Sequence, residues 1–369
     1  MNAKFLRNVL IKGLLLFAAF NLLWALWQPA GIGKLSLYNH LFRGRERLPF
    51  GENPAESYNL SLYNLDAMLA SHKLTAGAKP ADEFRVIVIG DSSVWGTLLH
   101  PQETLAGLLD ARNLTAADGR TVRVYNLGYP TLSLTKDLMI LDALRPYQPD
   151  LILWLVTLES FRESEQLLSP IVANNLPRVQ QLVAQYEVAL ALPQAQQAFW
   201  QRTLIGQRRA LADLIRLQAY GLMWSATGVD QTYPADYTPA ARDLKADDSD
   251  PGFVPPTLRD EDVRLDLIDS GLKIAGDTPV WVINEPILVS TGLNSNIRYN
   301  FYYPRWAYDQ YRTLLDAESQ VRGWQYLDYW DLVPQQEFTN SAIHLTPAGE
   351  ALLADALTIK LQEYLNTPR

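Results

Sequence analysis

Residues 84–96 read FRVIVIGDSSVWG. RVIVIG (85–90) is a near-continuous apolar run. A run without polar alternation marks a strand covered on both faces, as in a parallel sheet flanked by helices. Gly90 permits a tight turn at its end, and Asp91 and Ser92 follow before a helix begins. In open α/β sheets the binding crevice lies outside the carboxyl ends of the strands. The turn therefore lifts Ser92 to the top of the sheet, where its own N–H can line an oxyanion pocket.

The pattern around this turn repeats. PQETLAGLLDARNL is helical, TVRVYNLG (121–128) reads as a second strand, LTKDLMILDALRPY as a helix and DLILWLV (150–156) as a third strand. This β-α-β-α-β order predicts a doubly wound parallel sheet. It is interrupted over residues 161–270, where RVQQLVAQYEVALAL and QRRALADLIRLQAYGLMW read as helices and 233–256 as a Pro- and Asp-rich loop. Three readings of this insertion stand side by side: a packed helix pair, a lid, or a face resting on a membrane. The alternation resumes with a helix over 259–276, a strand at PVWVINEPI (279–287), the helix RWAYDQYRTLLDAESQVRG and a strand at WQYLDYW (324–330). Thr346-Pro347 then opens the last helix, as an N-cap followed by proline at the first helical position. The core domain is expected over 84–160 and 271–369.

Residues 9–27, VLIKGLLLFAAFNLLWALW, are apolar apart from Lys12 and Asn21. Their length is close to the ~20 residues that cross a bilayer. Residues 1–30 thus read as an N-terminal transmembrane anchor with the soluble part outside the cytoplasm, and a cleaved signal peptide is the rival. Basic residues flank both sides: Lys4, Arg7 and Lys12 before, Lys34, Arg43, Arg45 and Arg47 after. Residues 31–83 form a juxtamembrane segment.

Composition narrows the function. The 369-residue chain carries a net charge of −8 without a basic tract, which disfavours nucleic-acid partners. The absence of cysteine removes thiolate chemistry. The four histidines (His40, His72, His100 and His344) show no zinc-site spacing, so neither a metal nor a cofactor is expected.

Three blocks resemble the SGNH, or GDSL-type, hydrolase family. Gly90-Asp91-Ser92 with Gly96 is similar to the family's first block, YNLGYPT (125–131) to the second, and IHLTPAGEALLADAL (343–357) to the last. The resemblance implies a three-layer flavodoxin-like fold. It also implies Ser92 as nucleophile, His344 as base, and the N–H groups of Ser92 and Gly128 as oxyanion donors. Two positions depart from the family. The third block, usually G-x-N-D, is Thr157-Leu158-Glu159-Ser160 here. The acid three residues before the histidine is Ser341, preceded by Asn340. Asn340 and Ser341 are the candidates to orient His344, with Glu337, Asp331 or a backbone carbonyl as alternatives. Asp91, Glu159, Asn284, Glu285, Arg298 and Tyr303 are candidates to touch substrate.

These residues imply a membrane-anchored serine esterase or O-acyltransferase. Its substrate would be an acyl ester, such as an acylated glycan of the cell envelope, and an integral-membrane acyltransferase is a candidate partner. The competing reading is a degenerate domain of the same fold that binds a glycan or a membrane partner.

Overall fold

The computed structural model describes residues 2–27, 44–50, 64–192, 198–227, 236–242, 244 and 252–367. Residues 31–43, with Lys34 and Arg43, and 51–63 of the juxtamembrane segment lie outside the described residues, as does much of the 233–256 loop.

Five strands form one parallel sheet: β1 Glu83–Ile89, β2 Thr121–Asn126, β3 Leu151–Val156, β4 Val280–Asn284 and β5 Gln325–Asp328. Their order is β2-β1-β3-β4-β5, all neighbours parallel. This is the flavodoxin-like order, with its switch point at β1/β3. Every residue of β1, β3 and β4 is buried, as unbroken apolar runs require.

Alternate side chains of these strands feed two cores. Ile87, Ile89, Ile152, Trp154, Val280 and Val282 pack on one face with helices Leu134–Leu144, Asp266–Ala275 and Arg305–Arg322. Val86, Val88, Leu153, Leu155 and Ile283 pack on the other with helices Leu105–Ala111 and Pro347–Leu365. The result is the expected three layers, helix on sheet on helix.

The insertion is not one body. Helix Leu176–Tyr186 buries Val179, Leu182 and Tyr186 in the first core. Arg178 ties it to Asp142 and Asp66. This part packs on the core. Residues 259–265, expected as the first turns of a helix, are turns instead, and the helix starts at Asp266. Helix Arg208–Thr227 follows a short segment that reaches the N-terminal helix. There Asn21 Oδ1 accepts from Ile205 N–H (3.2 Å) and Trp24 Nε1 donates to Gln207 Oε1 (2.8 Å). That N-terminal helix, Ala3–Trp27, is long and apolar enough to cross a membrane.

Residues 44–50 run as a strap behind the turn at Ser92. Arg47 is fully buried, and its Nη1 donates to the carbonyls of Trp95 (3.1 Å), Gly96 (3.0 Å) and Leu99 (3.0 Å). Its guanidinium lies 4.5 Å from the Trp95 ring centroid. Trp95 Nε1 answers by donating to Leu48 O at 2.8 Å. Arg47 thus serves the interior and leaves the set of charges that flank the apolar helix.

Candidate active site

The turn after β1 is built by sterics and one cap. A Cβ on Gly90 would lie 2.6 Å from Val94 Cγ2 and 3.1 Å from Leu155 O, so the chain crosses β3 there only as glycine. Asp91 caps the short helix Ser92–Trp95, accepting from Ser93 N–H at 2.8 Å. Ser92 is the first residue of that helix. Its N–H is one of the amides a helix start leaves without an intrahelical partner. Lys136, wholly buried, donates to Gly90 O (2.5 Å) and Tyr129 O (3.2 Å), fastening the turns after β1 and β2 together.

His344 arrives from the loop before the last helix. Residues Phe338 and Leu345 bridge across that loop, and Thr339 N–H donates to His344 O at 2.8 Å. His344 Nε2 lies 2.8 Å from Ser92 Oγ, and Nδ1 lies 2.7 Å from Asn340 Oδ1. An amide oxygen only accepts, so Nδ1 carries the proton and Nε2 is left to accept from the Ser92 hydroxyl. Burial lowers the His344 pKa to about 4, so the ring is neutral around pH 7. Of the two candidates to orient it, Asn340 is in contact with it; Glu337 accepts from Thr346 Oγ1 instead. The insertion braces this loop: Ala240 N–H donates to Thr339 O (2.7 Å), and Arg242 donates to Gln336 O (3.1 Å) and Phe338 O (3.3 Å).

Gly128 is placed beside the nucleophile helix. A Cβ there would lie 2.5 Å from Trp95 N, so glycine is needed for close approach. Its N–H donates to Asn126 Oδ1 at 3.0 Å, while Asn126 Nδ2 donates to Val94 O at 2.7 Å. That amide is therefore already engaged, and Ser92 N–H is the donor left at the turn.

The remaining candidates divide sharply. Asn284 is buried, donates to Asp328 Oδ1 (2.8 Å) and accepts from Tyr308 and Tyr311 (3.2 and 3.3 Å), an interior role. Arg298 is buried and donates to Asn300 O (3.2 Å) and Phe301 O (2.8 Å). The Tyr303 hydroxyl meets Thr157 Oγ1 at 3.0 Å beneath the surface. Glu159 pairs with Arg162 at 2.8 Å, and Arg162 also donates to Gly252 O (3.0 Å) in the insertion. Tyr302, 40% exposed, is the aromatic of this region that faces solvent.

Asp91 and Glu285 lie behind the turn and are buried. Glu285 Oε2 accepts from Ser93 Oγ. Burial and the neighbouring Asp91 charge push the Glu285 carboxyl well above the usual carboxylate range. Sequence reading missed Arg47, Lys136 and this role of Glu285. The one local signal was the charged pair Lys136-Asp137 inside the otherwise apolar stretch LTKDLMIL. It forms a buried ion pair at 2.9 Å.

No protein-family model matches the chain, and no curated protein matches it. Solved structures do resemble it. The carbohydrate acetylesterase Est24 from Sinorhizobium meliloti is 15% identical, with 76% of this chain and 99% of that one covered and a TM-score of 0.35. The aryl esterase of M. smegmatis is 14% identical, with 76% and 98% covered and a TM-score of 0.34. The case for chemistry lies in this chain's own residues. Sheet order, Ser92 at the β1 turn and His344 before the last helix define a flavodoxin-like α/β domain with a serine–histidine pair at the carboxyl edge of its sheet.

Proposed function

We propose that the chain is a serine esterase or O-acyltransferase held at a membrane by helix Ala3–Trp27. The reading is carried by one observation: a neutral His344 with Nε2 2.8 Å from Ser92 Oγ and Nδ1 on Asn340. In the mechanism, Ser92 Oγ attacks the ester carbonyl as its proton passes to His344 Nε2. Ser92 N–H donates to the oxyanion. Gly128 N–H joins it only after leaving Asn126 Oδ1. Collapse expels the alcohol, which takes the proton from His344. Water or a sugar hydroxyl then attacks the acyl-enzyme, giving its proton to the same nitrogen, and the Ser92 ester bond breaks as Oγ takes that proton back. Hydrolysis and transfer differ only in that acceptor.

An acylated envelope glycan suits the rim. Tyr302 offers a face for a sugar ring and the Glu159–Arg162 pair offers hydrogen bonds, both at the carboxyl edge of the sheet. An integral-membrane acyltransferase beside the anchor would supply acyl groups in the transfer reading. The domain would then lie outside the cytoplasm. The competing binding-domain reading is favoured by one feature, the uncharged partner of His344.

The test is covalent labelling of the full chain in mild detergent with a fluorophosphonate. Wild type is expected to label, and Ser92→Ala and His344→Ala to fail. An unlabelled wild type, or equal labelling of Ser92→Ala, sinks the enzyme reading.

A further inference from the structure

Ser93, the residue after the nucleophile, is gripped twice: its N–H donates to Asp91 Oδ1 at 2.8 Å and its hydroxyl donates to Glu285 Oε2. Glu285 comes from the end of β4, where its N–H donates to Val156 O at 3.1 Å. Its side chain thus spans β3 to reach the turn after β1. Asp91 and Glu285 are both at least 97% buried, and both hold Ser93, Asp91 at its N–H and Glu285 at its hydroxyl. Burial and the nearby Asp91 charge both disfavour a second anion at Glu285. Lys136, whose charge reaches Asp91, already pairs with Asp137 at 2.9 Å.

A second observation lies below. A cavity of about 10 Å³ is lined by Ser93, Glu285 and Glu350 among apolar neighbours. Glu285 Oε1 and Glu350 Oε2 are both buried there without a donor or acceptor. That volume is about the least that admits one water, and two carboxyl oxygens supply its partners.

We propose that Glu285 is a positioning residue that works as a neutral carboxylic acid, holding the Ser93 hydroxyl and linked to Glu350 through one buried water. It would act on the reaction only by fixing the helix start that carries Ser92. The inference deepens the serine-nucleophile reading and rests on it. The groups that face Glu285 are Asp91 from the β1 turn, Glu350 from the last helix, and Tyr303 before and Tyr308 within helix Arg305–Arg322. Lys136 faces the neighbouring Asp91.

The experiment compares wild type, Glu285→Gln and Glu285→Leu as full chains. Gln keeps an acceptor for Ser93 and, like the neutral acid, a donor beside it, whereas Leu keeps neither. Glu285→Gln is expected to label with fluorophosphonate within about twofold of wild type near neutral pH, and Glu285→Leu about tenfold or more slowly. Wild-type labelling is expected to fall at alkaline pH as Glu285 ionises, and that fall is expected to vanish in Glu285→Gln. Infrared spectra at neutral pH are expected to lose a protonated-carboxyl band in Glu285→Gln. Gln as damaging as Leu, or an unchanged band, overturns the proposal. If wild type does not label at all, the enzyme reading fails, and the infrared band still decides whether Glu285 holds the proton.

Discussion

Asn340 is the residue on which the chemistry turns. In a chymotrypsin-type triad an amide in place of the acid costs about 10⁴ in turnover, largely through the wrong histidine tautomer. Here the amide presents its oxygen to Nδ1 at 2.7 Å, so the tautomer is the productive one. What is missing is charge. Bonds to charged groups exceed neutral ones by roughly 1.4 kcal/mol, about tenfold in rate. Asn340→Asp is therefore expected to raise turnover about tenfold on a simple acyl ester. The pH profile gives a second readout. As the proposed base His344 acts only when neutral, and burial lowers its pKa to about 4, so kcat/KM should rise through that region in wild type. A carboxylate beside Nδ1 favours the imidazolium and should move this limb upward in Asn340→Asp. An unmoved limb with unchanged turnover would show that residue 340 does not orient the base.

At the scale of elements, the nucleophile turn is held by segments distant in sequence. The strap 44–50 closes it from behind through Arg47, and helix Leu134–Leu144 closes it through Lys136. Replacing Arg47 by Met keeps much of the apolar stem but removes a donor from three carbonyls, of which Gly96 O keeps the Leu99 N–H. Buried groups left unsatisfied cost ~1–3 kcal/mol each, so Arg47→Met is expected to lose about 2 kcal/mol or more of stability. Chemical denaturation of the full chain measures this, and a loss under about 1 kcal/mol would show that the strap is not a structural part of the site. The insertion shows how far periodicity reads. Its helices were legible as helices, but their faces were not assignable. Helix Leu176–Tyr186 joined the core, and residues 236–242 turned out to brace the His344 loop.

The whole molecule stores titrating groups in its interior, and their signs oppose. His72 is buried, and burial lowers its pKa to about 4. The folded state thus refuses a proton that the unfolded chain takes below about pH 6.5, and stability falls as pH drops from there towards 4. Glu350 behaves oppositely: burial raises its pKa to about 8. The folded state keeps a proton that the unfolded chain gives up above about pH 4.5, and stability falls as pH rises towards 8. Between pH 4.5 and 6.5 these tendencies offset each other. Above 6.5 the histidines are neutral in both states while Glu350 and Glu285 keep raised pKa values, and Glu350 alone is expected to cost about 2 kcal/mol between pH 6.5 and 8. The thermal midpoint of the full chain should fall over that interval, and Glu350→Gln should lessen the fall. A midpoint constant over that window in wild type contradicts the assignment.

The sequence alone determined the sheet, because unbroken apolar runs at β1, β3 and β4 have nowhere to go but between two helix layers. It also named Ser92 and His344 as candidates, Ser92 from a glycine turn after a buried strand and His344 from the resemblance of its block to a known family. The tertiary structure decided the rest. Asn340 was adjacent in sequence, yet only the loop's folding aimed its oxygen at Nδ1. Gly128 was found as a turn residue, and only packing showed it pressed on Trp95 with its N–H held by Asn126. Glu285 reaches Ser93 across 192 residues, and Arg47 reaches Leu99 across 52. Such partners follow from where strands and straps lie beside one another, and chain order does not encode that proximity locally.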